Sequence, residues 1–424
     1  MKKYLKSFWT ILSVTLIGST AFGAGFEKSV SWGAKEMGRG GTAVSTTKGP
    51  DALYFNPAGL VDQDSIQGLT FNFSPTFSEF KHPVLTADTQ ETSEQAFSPL
   101  FGINYNYKIM DNLAVGMGGY VAGGNNVEYK DLDTVISAFD VSPKAGLTLT
   151  ELGIGVGYEV MEGLSLGLTW RISFVSGEFV QATSTTVAPG VGVATETAFE
   201  DLEATEYSGV KFGIIYAPEE TWGVGLSYRS EVEFEAEGKA TLMFANNTGV
   251  TAGGIPNTGG AVVSSTDDDV KLKASLPQQI NIGGHYMVMP DLMVAFEYSW
   301  TEYSKIDKIE LIDFASATEV ETKWKDQNVI RLGVEWSGMG FPLRFGYVNT
   351  SQVTPDEAAS ATFATPASGH DITIGGGYAL MDGLNLDVAL DYAFASADID
   401  NADSTNGKYE SSAYQLHFGA TYMF

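Results

Sequence analysis

The chain has 424 residues, no cysteine, and 52 acidic against 24 basic side chains, a formal net charge of −28 at pH 7. That surplus of acid argues against nucleic acid as a partner, and the lack of thiols excludes disulfides and thiolate metal sites. A disordered acidic chain is excluded as well, because 12% of the residues are aromatic and 48 glycines punctuate the sequence at turn-like intervals.

Residues 1–23 read as a secretory signal: Lys2, Lys3 and Lys6 precede an apolar stretch from Phe8 to Ile17 that is too short to span a bilayer, and the segment closes on Ala21-Phe22-Gly23. Its removal takes away three lysines and no acid, so a mature chain starting Ala24-Gly25-Phe26 carries a net charge of −31. Acidic external loops and a polar lumen are the natural places for that charge. The mature region has no apolar run long enough for a transmembrane helix, which leaves a soluble protein or a β-barrel. Residues 24–62 lack strand alternation and are rich in Gly, Ala, Ser and Thr. They are expected to fold as a hatch inside a barrel made by residues 63–424, the alternative being a periplasmic tail.

Four segments further along are near-copies, Tyr107–Leu113, Tyr158–Leu164, Tyr286–Leu292 and Tyr378–Leu384, each read as a tight turn between two alternating strands. Around the first of them the apolar residues are Phe101, Ile103, Tyr105, Tyr107 and Ile109, then Leu113, Val115 and Met117. Period-2 alternation also suits a soluble sandwich, but an aromatic beside nearly every tight turn matches an interfacial girdle. Two further turns, at Ala217–Thr221 before Trp222 and Ser337–Pro342 after Trp336, bring the number to six. A barrel with both termini in the periplasm has one turn fewer than half its strands, so six turns predict 14 antiparallel transmembrane strands.

The strands are placed at 65–81, 97–109, 113–123, 149–160, 164–182, 207–216, 222–242, 271–288, 292–306, 320–336, 342–350, 369–380, 384–397 and 409–424. Long polar connections such as Thr185 to Glu206 and Asn246 to Asp269 are expected as extracellular loops. Val135, Ile136, Ala138 and Phe139 are apolar within such a loop, fit for an external landing patch or a short loop helix. The last strand alternates through Tyr414, Leu416, Phe418 and Tyr422 to a terminal Phe424, which looks like the signal read by the outer-membrane barrel-assembly machinery. Outer-membrane lipid and lipopolysaccharide would surround such a barrel.

Fourteen strands leave a hole that needs filling. By parity Arg171, Lys211, Arg331 and Arg344 face the lumen, with Glu297, Glu335, Asp387 and Asp391. Such charges pair with one another as a rule, and one of the cations is a candidate anchor for a ligand carboxylate. The third strand holds Gly116, Gly118 and Gly119, with Gly123-Gly124 at its end, residues that weaken a ladder and permit a kink or simply pack a hatch.

The start Ala24-Gly25-Phe26, then Gly38-Arg39-Gly40-Gly41 and Tyr54-Phe55-Asn56-Pro57-Ala58-Gly59-Leu60, resemble the FadL/TodX-type family of outer-membrane transporters for long-chain fatty acids and hydrophobic compounds. The likeness continues at Ser227–Phe234, Leu276–Gln279, Trp324–Asp326 and Arg344–Tyr347. The resemblance implies a hatch-plugged barrel taking up apolar molecules passively, with Gly38, Arg39, Asn56, Pro57 and Ala58 in the hatch, the Asn56 turn facing the third strand, and Gly116, Gly118 and Gly119 at a lateral opening into the membrane. A general diffusion porin and a surface adhesin or receptor are the other functions open to such a barrel. A hatch counts against the porin, and the modest loops count against the adhesin. An enzyme is not expected and no cofactor or metal is implied: His82, His285, His370 and His417 lack metal spacing, and Gly38-Arg39-Gly40-Gly41 lacks the Lys and Ser/Thr of a phosphate loop.

Overall fold

The computed structural model describes residues 32–136, 139–188, 191–247, 262–306, 308–312, 319–400 and 405–424; the expected signal, the first residues of the mature chain and Ala138 lie outside them. Fourteen strands run in order: β1 (Gln67–Pro83), β2 (Ala96–Met110), β3 (Leu113–Glu128), β4 (Lys144–Met161), β5 (Leu164–Ala188), β6 (Val191–Glu219), β7 (Trp222–Arg229 continuing as Val232–Asn246), β8 (Val262–Leu276 continuing as Gln279–Met289), β9 (Leu292–Thr301), β10 (Gln327–Trp336), β11 (Leu343–Thr350), β12 (Gly369–Met381), β13 (Leu384–Ile399) and β14 (Gly407–Met423). Each pairs antiparallel with its chain neighbours, and β14 returns to β1 from Gly68↔Met423 to Lys81↔Glu410. Closure satisfies the backbone within the sheet and leaves no edge, which a β-structure in hydrocarbon requires.

The alternation in the sequence now has a direction. Ile103, Met117, Ile154, Phe345 and Val388 point outward and are about half exposed, whereas Asn104, Asn106, Thr169, Ser227 and Gln415 point inward and are buried. Apolar side chains outside and polar ones inside invert the pattern of a soluble sandwich and match a barrel in lipid. The four repeated turns also share one irregularity: the ladder slips just before Met110, Met161, Met289 and Met381, and each of these methionines pairs with the leucine that begins the next strand. Two of the turns need a glycine at positive φ, Gly163 at 77° and Gly383 at 78°.

Ahead of β1 the described residues form two single-turn helices, α1 (Ala34–Met37) and α2 (Ala52–Phe55), and two 3-10 turns at Gly49–Asp51 and Pro57–Leu60. Nearly every residue from Trp32 to Leu60 is buried, and what buries them is the inner wall. Inward-facing glycines meet this segment around the circumference: Gly102 of β2 under Trp32, Gly155 of β4 under Leu53, Gly167 of β5 under Pro57, Gly213 of β6 under Asn56, Gly225 of β7 under Val44, Gly333 of β10 under Arg39, Gly346 of β11 under Gly40 and Gly419 of β14 under Ala34. A Cβ added at these eight positions would fall 1.9 to 3.3 Å from segment atoms. The wall is thin wherever the segment touches it.

Two expectations for the outer side need correction. Thr185 to Glu206 is not an irregular loop: β5 and β6 continue through it as a hairpin, paired from Ser173↔Glu206 to Ala188↔Val191. Phe199 and Leu202, with Phe179 partly buried against them, cover one face of that hairpin, and a polar composition concealed the strand. Likewise Ile136 and Phe139 form no helix among the described residues; they are buried with Val141, Ala194 and Ala245, while Val135 is exposed.

Replacing Gly225 and Gly346 together by Val is expected to leave a heat-modifiable barrel and dislodge the N-terminal segment, each clash costing about 1–3 kcal/mol. Planar-bilayer recordings should then show an ion conductance above that of the unaltered protein, and an unchanged conductance would refute the tight fit.

Candidate functional site

Beyond the segment the outer half of the barrel holds an apolar cavity that opens outward. Its lining comes from β4 to β8, the Lys308–Ile312 and Glu319–Glu321 hairpin, and the β11–β12 connection, and includes Leu147, Phe179, Phe199, Phe234, Trp324 and Phe363. Phe179 stacks on Phe199 and Phe363 with ring centres 6.4 Å apart in each case. Glu178 sits at the lining with its carboxylate 2.7 Å from the Lys144 ammonium. One continuous apolar cluster joins this cavity through Leu149, Val121 and Tyr120 to Trp32 and Leu53 of the N-terminal segment.

A basic group lies between the two. Arg171 on β5, Lys211 on β6 and Arg229 on β7 all lie within electrostatic reach of Glu151 on β4. Arg171 donates to Glu151 at 2.5 Å and to the Ser230 carbonyl at 2.9 Å. Lys211 donates to the Tyr54 carbonyl and lies 4.6 Å over the Tyr54 ring, and in the ladder it stands directly opposite Arg229. Like charges facing each other across a pair of strands destabilise it, the more so when both are at most 6% exposed. Three cations thus lie buried around one carboxylate, with Arg229 also donating to the Pro277 carbonyl at 3.3 Å.

Next to this group the wall changes. Among the described residues the β2–β3 ladder ends at Gly102↔Tyr120, although β2 pairs with β1 out to Ala96 and β3 pairs with β4 out to Glu128. A bulge between Val121 and Gly123 turns β3 aside at that level, and beyond it the Glu94 amide donates to the Glu128 carbonyl at 2.8 Å. Trp32 and Tyr54 back the break, their ring centres 5.6 and 4.9 Å from that of Tyr120.

The other expected cations pair with luminal carboxylates. Arg344 bonds Glu335 at 2.7 Å and Asp387 at 2.6 Å, and Arg39 reaches Glu335 at 3.5 Å. Arg331 donates to Ser299 at 2.6 Å and lies 3.7 Å from Glu297, whose carboxylate accepts the Ala43 and Val44 amides at 2.8 Å each. Asp391 is buried on β13, and Gly38 packs its backbone against Gly375 and Arg344. Asn56 does not face the third strand: its amide donates to the carbonyls of Val44, Ile214 and Leu226, which ties it to β6 and β7, while Pro57 and Ala58 lie on β5 at Gly167. Gly116 accommodates Leu60, Gly118 accommodates the Asn104 side chain, and Gly119 faces Leu152, all below the break. Sequence reading missed Glu151, Arg229, Trp32, Tyr54 and Tyr120. Strand parity marks Arg229 as inward beside Lys211, but the segment's aromatics have no periodicity that would reveal where they dock.

Asp51 joins the segment to the wall, accepting from Asn104 at 2.9 Å and from Asn72 at 3.0 Å. Burial first, and then repulsion from Glu36, push its carboxyl up to about 7 in spite of those two bonds and the more distant Lys35.

A closed barrel of 14 strands, apolar outside and filled with polar contacts within, defines the class: an integral outer-membrane β-barrel. The chain belongs to the family described as outer membrane protein transport protein (OMPP1/FadL/TodX), whose model matches residues 14–424. Outer membrane protein P1 of Haemophilus influenzae is 23% identical over 256 residues, 54% of this chain and 51% of that protein, so the chain spans about half the length of this curated relative. A Pseudomonas aeruginosa FadL homologue shares the fold with TM-score 0.76 and 16% identity, covering 95% of this chain and 100% of that one. The Pseudomonas putida toluene transporter TodX does so with TM-score 0.75 and 17% identity, over 93% and 99% of the two chains.

The Asp51 shift has a pH consequence. With the segment in place the group keeps its proton up to about 7, whereas a released Asp loses it near the ordinary 3.8, so packing weakens as pH rises between those values. Trypsin cleavage after Lys35 and Arg39, taken at each pH relative to the rate on a short unstructured peptide, should therefore be slower at pH 5.5 than at pH 8, and this difference should vanish in Asp51→Asn.

Proposed function

We propose that this barrel is a passive uptake channel for apolar molecules bearing one acidic headgroup, long-chain fatty acids being the reference class, and that it releases them sideways through the β2–β3 break. The basic group Arg171, Lys211 and Arg229 beneath an apolar cavity carries the reading: the cavity removes a hydrocarbon tail from water and the cations receive its carboxylate. Burying the tail contributes about 0.8 kcal/mol per methylene, and a carboxylate bound to a desolvated cation adds about 1.5–3 kcal/mol. Direct exit to the periplasm would lose the tail's burial, while a lateral exit exchanges protein for acyl chains at little cost. In this reading residues 24–62 are the hatch that keeps polar solutes out, residues 1–23 direct export, and the strand ending at Phe424 is recognised during assembly.

A second reading is carried by the aromatic wall of Phe179, Phe199, Phe363 and Trp324. Flat neutral hydrocarbons suit it, and TodX is a toluene transporter. The two readings differ in their need for the cations. Lys211→Met with Arg229→Met is expected to lower oleate uptake by cells about tenfold and leave toluene entry unchanged, from the loss of the charge-assisted contacts. Equal loss of both would point to damage of the barrel, and loss of neither would exclude the cations as an anchor. The lateral route is tested separately. In a chain without cysteine, Leu100→Cys and Ala122→Cys place two thiols on the diverging strands, and bridging them with a bismaleimide should stop uptake while leaving binding in the outer cavity intact.

A further inference from the structure

The β11–β12 connection, residues 351–368, crosses the outer mouth of the barrel and contributes Thr362, Phe363 and Ala364 to the cavity wall. Phe363 stacks nearly parallel on Phe179, at 11°, and meets Trp324 edge-on with ring centres 5.7 Å apart. This strap has no regular structure beyond a single 3-10 turn at Asp356–Ala358, so something else must fix where Phe363 sits.

His82, on β1 near its outer end, is the group in place to do so. Its Nδ1 lies 3.0 Å from the Ala361 carbonyl and its Nε2 lies 3.1 Å from the Thr365 hydroxyl, which is also 2.7 Å from the Ser411 hydroxyl. Ala361 and Thr365 are the residues that flank the wall tripeptide on either side. The ring is fully buried, with the Phe80 and Tyr409 rings 5.4 and 4.8 Å away. A carbonyl can only accept, so Nδ1 carries the proton and donates to Ala361, and Nε2 of the neutral ring is an acceptor beside the Thr365 hydroxyl, whose one proton is shared between Nε2 and the Ser411 hydroxyl. Phe80 and Tyr409 already fill the slot with apolar surface. The imidazole adds two directed bonds, and both go to the strap.

From this geometry we infer that His82 is the positioning residue of the outer cavity, clamping the strap on both sides of Thr362-Phe363-Ala364 so that the Phe363 ring completes the apolar wall offered to a ligand. It touches no ligand itself and acts through the strap. The inference rests on the cavity being the entry site, and its test separates the two claims. Pyrene, a neutral fluorescent probe, is titrated into the purified full-length barrel in detergent. His82→Phe keeps the packing and removes both bonds; it should weaken pyrene binding about fivefold or more, with the heat-modifiable gel shift retained, while His82→Gln, whose amide both donates and accepts, should restore most of the affinity. Thr365→Val cuts the same clamp from the strap side and should weaken binding in the same direction even if His82→Phe fails to assemble. Phe199→Asp is the control for the cavity. If it leaves binding unchanged, the entry-site reading falls. If it abolishes binding while His82→Phe and Thr365→Val bind as the unaltered protein does, the clamp alone is overturned.

Discussion

Close approach of backbone to backbone is the constraint on which the molecule depends. Among its described residues the N-terminal segment has two single-turn helices and two 3-10 turns, too little regular structure to hold itself, and it takes its shape from a wall that yields wherever the two meet. Glycines at Gly167, Gly225, Gly333 and Gly346 let the segment's backbone lie against the strands, and Gly213 makes room for the Asn56 side chain. Glycine weakens a strand, but in a closed barrel each such residue keeps both ladder neighbours, so the weakness is offset by the sheet and by the segment filling the space.

That fit divides the interior into two regions with different tasks. On the β9 to β13 side, Arg344, Arg331 and Arg39 are matched with Glu335, Asp387 and Glu297, and the Glu297 carboxylate fastens the Ala43 and Val44 amides. Charges there are neutralised in pairs and act as fasteners. On the β4 to β7 side, Arg171, Lys211 and Arg229 share Glu151, and the sum is cationic. Desolvated like charges are expensive, and the structure keeps these three beside the apolar cluster and the β2–β3 break.

Much of the architecture was legible in the sequence because barrel strands obey a period of two and the turns repeat. The series from Tyr107 to Leu384 marks one end of the barrel, and the parity of Arg171, Lys211, Arg331 and Arg344 places each inside, where each is found. The outer extensions were not legible: β5 and β6 beyond the membrane carry threonine, glutamate and glycine, and their strand character depends on pairing with each other and on the buried faces of Phe179 and Phe199. Nor was the location of the wall's departure. The glycines of β3 draw the eye to Gly116 and Gly118, yet these are occupied by Leu60 and Asn104, and the ladder fails two residues later at Tyr120, a side chain with no local sign of it. Asn56 was legible as a turn and not as a tie to β6 and β7, since nothing in its neighbours encodes a contact 158 residues away.

The length of β5 and β6, 25 and 29 residues, sets the height at which an incoming molecule first meets protein. Crossing the hydrocarbon at a tilt of about 45° takes about 9–11 residues, so the remaining residues of each strand lift the hairpin roughly 30 Å or more clear of it. Phe179 and Phe199 stand on that raised part. A sparingly soluble molecule approaching the cell therefore sheds its hydration shell against aromatic rings while still out among the headgroups, and the unfavourable step of carrying an apolar solute through a hydrated, charged layer is replaced by a partition from water into protein that takes place above it.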